Sequence, residues 1–567
     1  MTRKTRSLNA ATAWQELLVK GSSIDPSAFT SLKPYLIALF ILIVVLSGRL
    51  IQIQLVQGLQ FRHRAEDNRI IKRRLAAVRG ALTDRNDVPL VVNKPSYKRL
   101  VEHTSLAAGN FEPISRDQAY SLEAESNQWI FFDIVRDYPY GQALSHVLGY
   151  LGEVDQDDLD VSGDYISGDY IGKSGVEQML ETRLRGSPGT ESLEVNSAGK
   201  LIRNLGTLEP TPGEDIKLSL DLQFQQVLFR AFGDRVGAAV ASHPKTGEIL
   251  ALVSNPAFDP NDPTGAFNSE NEPFFNRAIA GAYPPGSVFK IVTATSGLEE
   301  GVITAEEEIE DTGEIRINQF RYGNWYFDQH GRTDGQVNLV KSLQRSNDIY
   351  FYRLGERIGP DILASWAQLF GYGELSGLGL PTEITGLVPS PEWKRRYIGE
   401  RWFLGNTYHF AIGQGDLQVT PIQVNRMTSV IANEGQMCPS TLIYQGLPGE
   451  SKPTLSCQEL GIDAATIATI KEGMKAACDA GGTAFPFFDF EPDVACKTGT
   501  SQFGDPDDRT HAWFTVFAPA DDPQIVLTIL LEKGGEGSYD AAPIAKTALH
   551  YWFTGEELKE EEDAGDQ

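Results

Sequence analysis

The chain is poor in cysteine, in histidine and in positive charge. Four cysteines, Cys438, Cys457, Cys478 and Cys496, stand among 567 residues. A chain of this length needs no disulfide framework, so four buried thiols are expected. Cys438 and Cys457 share one polar, loop-rich stretch and are the pair best placed to bridge. The eight histidines are scattered, with no pair at helical ligand spacing. No metal site is expected from them, and no cofactor; His330 and His511 read as loop or surface residues. Lys and Arg number 50 against 76 Asp and Glu, a net charge of -26. Such an acid excess argues against a nucleic-acid partner and implies repulsion from anionic lipid.

Long apolar runs are scarce as well, and one stands out. Residues 35–46 are unbroken apolar, and the run continues through Ser47 and Gly48 as far as Leu55. Together they approach the ~20 residues that a membrane-spanning helix needs. Arg49 lies near the far end, where its long side chain can reach the headgroups. The polar lead before the run is too long for a signal peptide, and no Ala-x-Ala cleavage site follows. Arg3, Lys4, Arg6, Lys20 and Lys33 outnumber Glu16 and Asp25 ahead of the span. That excess places the N-terminus in the cytoplasm and the rest of the chain outside the inner membrane. The expected organisation is a cytoplasmic tail (1–33), a single transmembrane helix (34–56), a middle domain (57–215), a large C-terminal domain (216–553) and an acidic, disordered tail (554–567).

The middle segment carries no obvious catalytic set and reads as a spacer. A turn at 80–86 precedes a strand-like piece at 88–92, which Asn93 and Pro95 should end. Asp84 and Arg85 read as a solvated turn pair. Short helices are expected at 142–151 and 176–184, with Glu177 serving as a cap or salt-bridge partner.

The C-terminal segment alternates differently. Residues 221–232 read as a helix, and two strands at 237–242 and 248–254 flank a Pro-Lys-Thr-Gly turn as a hairpin. Apolar helical patterns follow at 287–298, 337–357 and 360–370. Strand-like runs lie at 513–518 and 524–532, and a last helix at 543–553. This order implies an α+β domain with an antiparallel sheet flanked by helices.

Three short stretches of this domain carry chemistry. In Tyr283-Pro284-Pro285-Gly286-Ser287-Val288-Phe289-Lys290 a hard turn leads into an apolar helix. Ser287 then sits near a helix N-terminus, with Lys290 three residues on and on the same face. A serine hydroxyl is a weak nucleophile unaided, and a lysine amine held partly neutral by burial or by a second cation can take its proton. Ser-x-x-Lys also occurs at Ser197 and Ser242, but neither has the turn-then-helix setting. The second stretch is Ser346-Asn347-Asp348, where a helix cap is the plain explanation of the serine. The third is Lys497-Thr498-Gly499-Thr500-Ser501, a strand whose small residues allow close approach of another backbone.

In that order the three resemble the motif set of the penicillin-recognising serine acyltransferases. Beyond them, Arg79-Gly80-Ala81-Leu82-Thr83-Asp84-Arg85-Asn86, Tyr138-Pro139-Tyr140-Gly141 and Gly172-Lys173-Ser174-Gly175-Val176-Glu177 resemble the pedestal of class B penicillin-binding proteins. Trp402, Gly405, Ala411-Ile412-Gly413-Gln414-Gly415 and Asp348 look most like the elongation subgroup, penicillin-binding protein 2. The resemblance covers nearly all of the chain after the apolar run. It departs at Asp87, where the pedestal motif usually has Gly, and at Asn406, which replaces a common Asp. The stretch 100–135 is also short for the family's membrane-proximal head.

The resemblance implies a mainly β pedestal and a transpeptidase domain built on a five-stranded antiparallel sheet. It implies a peptidoglycan D,D-transpeptidase that takes pentapeptide stems, with β-lactams as covalent inhibitors and a polytopic membrane glycosyltransferase as partner. Ser287 would be the nucleophile and Lys290 the base. Ser346 and Lys497 would relay the proton, Asp348 would orient them, and Thr498, Gly499, Thr500 and Ser501 would hold the substrate. A D,D-carboxypeptidase shares the motifs, and a scaffold that activates a glycosyltransferase shares the anchor and pedestal. A β-lactamase is disfavoured, since no Glu-x-x-x-Asn lies between Ser346 and Lys497.

Overall fold

The computed structural model describes residues 26–67, 69–100, 111–124, 130–161, 165, 169–196, 201–444 and 456–558. Residues 559–567 of the acidic tail and 1–25 of the N-terminal tail lie outside these residues; Thr554, where the tail is expected to begin, still belongs to a helix, and Glu557 pairs with Arg230. The chain divides into two compact units. One holds residues 1–75 and 190–209, and the other 76–189 and 210–567.

In the first unit a helix, Pro26–Ile51, runs on through a wider turn at Gln52–Val56. Within Lys33–Val56 an 18-residue stretch has a mean hydropathy of 2.5, and none of its residues is buried. Side chains this apolar leave water only if something apolar surrounds the helix, so it suits a single-pass membrane anchor. Gly58–Asp67 is helical, and a three-stranded sheet follows with Gly189–Val195 between Ile70–Leu75 and Leu201–Leu208.

The second unit starts with the pedestal segment. Asp84 is not the solvated turn residue that its neighbours suggest. It is buried, and its carboxylate accepts the backbone N–H groups of Asn86, Val88 and Leu222. Glu177 is fully buried between Arg79 (2.6 Å) and Arg136 (2.8 Å), the salt-bridge half of its expectation. The strand expected at 88–92 begins at Val92 instead and runs through Asn93 and Pro95 to Leu100. Pro95 is tolerated because only Ile130–Asp137 pairs with the strand there, the other neighbour joining at Tyr97; its missing N–H can face the open edge. The helix expected at 142–151 is a short turn, Gly141–Leu144, followed by Ser145–Leu148, and the one at 176–184 is split into Gly175–Met179 and Glu181–Leu184.

The large domain is built on one antiparallel sheet of five strands: β1 (Gly237–Ser242), β2 (Ile249–Asn255), β3 (Ala495–Gln502), β4 (Thr510–Ala518) and β5 (Ile525–Leu531). Their order is β2-β1-β5-β4-β3. Every residue of β1, β2 and β5 is buried. Helices cover both faces, so these strands read as unbroken apolar runs rather than alternating ones. Helices α1 (Leu222–Phe232) and α7 (Ala542–Thr554) pack one face with Phe514, Val516 and Leu527. Helices α2 (Lys290–Glu299), α4 (Asp348–Ile358), α5 (Pro421–Ala432) and α6 (Ala464–Cys478) build the larger core on the other, around Trp513, Phe517 and Leu530. The single helix expected at 337–357 is two, α3 (Leu339–Arg345) and α4. The break falls at Ser346, whose backbone is left-handed at φ 52°, because Asn347 then caps α4 by accepting from Tyr350 N–H. The cap assigned to Ser346 therefore belongs to Asn347.

The four cysteines are not free thiols. The structure joins Cys438 to Cys457 and Cys478 to Cys496. The second pair was not anticipated, because its members lie on α6 and β3, which only the folded domain brings side by side. His511 is buried in β4 and stacks on Phe503, since its strand is interior to the sheet rather than in a loop. His330 is exposed.

Candidate active site

Ser287 lies on a tight turn, Gly286–Phe289, that leads directly into α2. Gly286 has φ 57°, and a Cβ there would come within 2.6 Å of Thr500 O. Only glycine lets the turn press this close to β3. The turn is held from behind, where Trp513 Nε1 donates to Pro284 O (3.0 Å) and Gly286 N–H to Gly413 O (2.8 Å).

Lys290, in the first turn of α2, is fully buried. Its Nζ donates to Ser346 O (2.7 Å), Ser346 Oγ (3.2 Å) and Asp348 Oδ1 (2.7 Å). Lys497 enters from β3 and is also fully buried. Its Nζ donates to the same Ser346 Oγ (2.9 Å) and to Thr498 O (3.0 Å). Two amines thus meet on one hydroxyl. Burial lowers the pKa of both; for Lys290 the Asp348 carboxylate opposes that, while for Lys497 the nearby Lys290 adds to it and the fall is larger. Burial thus favours the neutral amine at both positions, most strongly at Lys497.

The three stretches line one cavity of about 610 Å³, whose walls include Ser287, Ser346, Asp348, Thr498, Gly499 and Thr500. β3 is the edge strand of the sheet, paired with β4 on one side only. Thr500 O accepts Gln414 Nε2 on the open side (3.2 Å). In an extended residue the N–H points to the same side as the C=O, so the Thr500 N–H also faces the cleft beside Ser287. Thr498 Oγ1 is within 2.8 Å of Thr483 Oγ1 at the cavity wall. Ser501 stands apart from its expected companions. It is fully buried on the strand face that also carries Lys497, beside Gly286 and outside the cavity lining, and its hydroxyl has no hydrogen-bond partner.

Sequence reading missed a layer of polar residues beneath Ser346-Asn347-Asp348. Asp311, buried, accepts from Asn324 Nδ2, Asn347 Nδ2 and Asp334 N–H (each 2.9 Å) and from Gly313 N–H (2.8 Å). Asn324 Oδ1 in turn accepts from Asp348 N–H (3.1 Å), and Trp325 N–H donates to Asp348 Oδ2 (3.1 Å). Asp334 holds Arg345 (3.0 Å) at the end of α3. Nothing in the local pattern marks these residues, because Asp-Thr-Gly at 311–313 reads as an ordinary turn.

Residues 237–550 match the penicillin binding protein transpeptidase domain and residues 111–218 the penicillin-binding protein dimerisation domain. The peptidoglycan D,D-transpeptidase MrdA of Escherichia coli K12 is 32% identical over 88% of this chain and 90% of its own. The MrdA of Acinetobacter baumannii is 31% identical over 90% and 86%. Among solved structures, penicillin-binding protein 2 of Helicobacter pylori in complex with MreC superposes with a TM-score of 0.76 (27% identity, 86% and 99% covered). That of Pseudomonas aeruginosa gives 0.69 (32% identity, 88% and 100%). A chain of a peptidoglycan synthase complex that couples polymerization and crosslinking gives 0.75 (27%, 93% and 99%).

Proposed function

The chain belongs to the class B penicillin-binding proteins, and from that premise we propose how its residues divide the work of cross-linking. It is a serine-type peptidoglycan D,D-transpeptidase of the elongation type. The observation that carries the assignment is the meeting of Lys290 and Lys497 on Ser346 Oγ, under a cavity lined by Ser287.

Lys290 takes the proton of Ser287 as its Oγ attacks the carbonyl of the penultimate D-alanine. The N–H groups of Ser287 and Thr500 hold the oxyanion; each such donor is commonly worth ~3 kcal/mol because it acts on charge that exists only in the transition state. Ser346 and Lys497 relay that proton to the departing D-alanine amine, and the C–N bond breaks to leave an acyl-serine. Asp348 keeps Lys290 and the Ser346 turn in register. The Thr498 and Thr500 hydroxyls bind the terminal carboxylate, and the open edge of β3 pairs with the donor backbone as an added strand. A stem amine then attacks the ester, displaces Ser287 Oγ and returns the proton to it. β-Lactams acylate the same serine. We propose roles in this site for Gly499, as the point of close backbone approach, and for Ser501 as packing beside the Gly286 turn.

The test is labelling by a fluorescent penicillin with mass-spectrometric mapping of the adduct. We expect the label on Ser287 and its loss in Ser287→Ala; labelling that survives this change defeats the assignment. For topology, the basic lead before residue 34 supports a cytoplasmic N-terminus with the catalytic domain on the outer side. For partners, the anchor and pedestal support a polytopic glycosyltransferase. Co-purification from mild detergent should recover one, and its consistent absence removes that partner.

A further inference from the structure

Beside the cavity, residues 394–404 form an exposed surface of unusual composition. Arg395, Arg396, Tyr397, Ile398, Arg401, Phe403 and Leu404 are all exposed. Tyr397 keeps 67% of its surface and Phe403 61%. The segment is nonetheless well anchored. Lys394 pairs with Asp416 (2.9 Å), Trp402 Nε1 donates to Thr407 Oγ1 (2.8 Å), and Phe403 N–H donates to Asn406 Oδ1 (2.9 Å). It opens the helix Leu404–Ala411, whose far end supplies His409 and Ile412 to the cavity wall. Gly405 lies so close to Tyr322, another wall residue, that a Cβ there would meet the phenol oxygen at 2.0 Å. The surface is therefore continuous with the rim of the active site.

Its charge is left unanswered. Among the described residues no carboxylate pairs with Arg395, Arg396 or Arg401. Arg396 and Arg401 lie over their own aromatic neighbours, Tyr397 (5.5 Å) and Phe403 (5.9 Å). Arg321, on the cavity wall, is by contrast neutralised by Glu314 and Asp328, and Arg345 by Asp334. Three unpaired guanidinium groups in a chain of net charge -26 are an anion-binding feature set against the protein's own field.

We propose that this arginine–aromatic surface binds the acceptor strand of peptidoglycan. The inference rests on the transpeptidase reading above. A D,D-transpeptidase must hold two stems at once, and the donor takes β3 with Thr498 and Thr500. The acceptor stem also ends in a free carboxylate and hangs from a sugar chain. Guanidinium groups suit the carboxylate, and exposed aromatic faces suit the apolar faces of sugar rings. Held here, the acceptor amine reaches the acyl-serine across the His409 rim. Its nitrogen forms the new amide bond to the acyl carbon, the ester C–O bond breaks, and the amine proton passes to Ser287 Oγ. Without it, water attacks the same ester and the stem is trimmed rather than joined.

The experiment uses the full-length enzyme in detergent, with uncross-linked glycan strands bearing pentapeptides as substrate. Arg395→Glu, Arg396→Glu and Arg401→Glu are combined. We expect penicillin acylation to stay within about twofold of wild type while cross-linked product falls about tenfold and hydrolysed tetrapeptide rises in its place. The matching Arg→Lys triple variant should recover most of the cross-linking. If the charge reversal prevents folding, the Arg→Gln variants carry the same expectation at about threefold. Unchanged cross-linking overturns the proposal, and so does a parallel fall in acylation, which would mean a structural role. Loss of binding to phosphatidylglycerol vesicles with cross-linking intact would assign the surface to a membrane instead. A wild-type enzyme that fails to label with penicillin refutes the underlying reading, not this one.

Discussion

Lys290 and Lys497 both donate to one hydroxyl, and both are fully buried. Two full charges at that separation in a buried site are costly, so at least one amine is neutral. Lys290 keeps a carboxylate neighbour at 2.7 Å, whereas Lys497 has only oxygens of Ser346 and Thr498. The pKa of each lies below the ordinary lysine value of 10.5. The sign for activity follows. The neutral, proton-accepting form persists to lower pH than in a free lysine and is lost as pH falls through the lowered pKa. Acylation by penicillin should therefore rise with pH along its acid limb. Lys497→Arg installs a cation that cannot deprotonate, and should slow acylation by about a hundredfold and lower the melting temperature, since the second charge is then forced on the site. Lys290→Ala should abolish labelling in a protein that still melts cooperatively. Wild-type acylation rates in Lys497→Arg would show that no neutral amine is needed there.

At the level of elements, the sheet and its helices were legible because the buried strands are short apolar runs bounded by turns and each helix carries its own period. The hairpin of β1 and β2, the runs that became β4 and β5, and α1 and α7 could all be read from local pattern. The reading failed where a tertiary contact overrides the local signal. Pro95 continues a strand because its edge is open at that point, and Ser346 breaks a helix that its flanking apolar pattern would continue. The motifs were legible by their order, but the Asp311 layer was not, because its members are spread over 311–347 and meet only through Asn347 and Asn324. That layer has a measurable consequence. Removing the Asp311 carboxylate strands two buried amide groups and two backbone N–H groups, costing roughly 3 kcal/mol. Asp311→Ala should lower the melting temperature and slow penicillin acylation at least about tenfold, since the Ser346 turn loses its support. Asp311→Asn keeps one acceptor oxygen and should fall between. An Asp311→Ala enzyme that is less stable but acylates at the wild-type rate would separate the layer from the chemistry.

On the scale of the whole molecule, the apolar helix and the catalytic fold stand under different forces. The sheet domain buries its strands against two layers of its own helices, a closed account that needs no lipid. The stretch within Lys33–Val56 has no buried residue, although it is apolar enough to cross a membrane. Its stability depends on surroundings that replace water, and the fold's does not. A variant lacking residues 1–56 should accordingly leave the membrane fraction and remain in solution without detergent. Its acylation by fluorescent penicillin should stay within about twofold of the full-length enzyme, because Ser287, Lys290, Ser346 and Lys497 lie in a unit with its own core. Glycan cross-linking in membranes should fall far more, since a soluble enzyme meets its membrane-tethered substrate by three-dimensional diffusion rather than side by side. Sedimentation with vesicles, labelling rate and cross-link yield, measured on the same preparation, separate the two forces. Equal losses of labelling and cross-linking in the truncated chain would mean that the helix supports the catalytic fold itself.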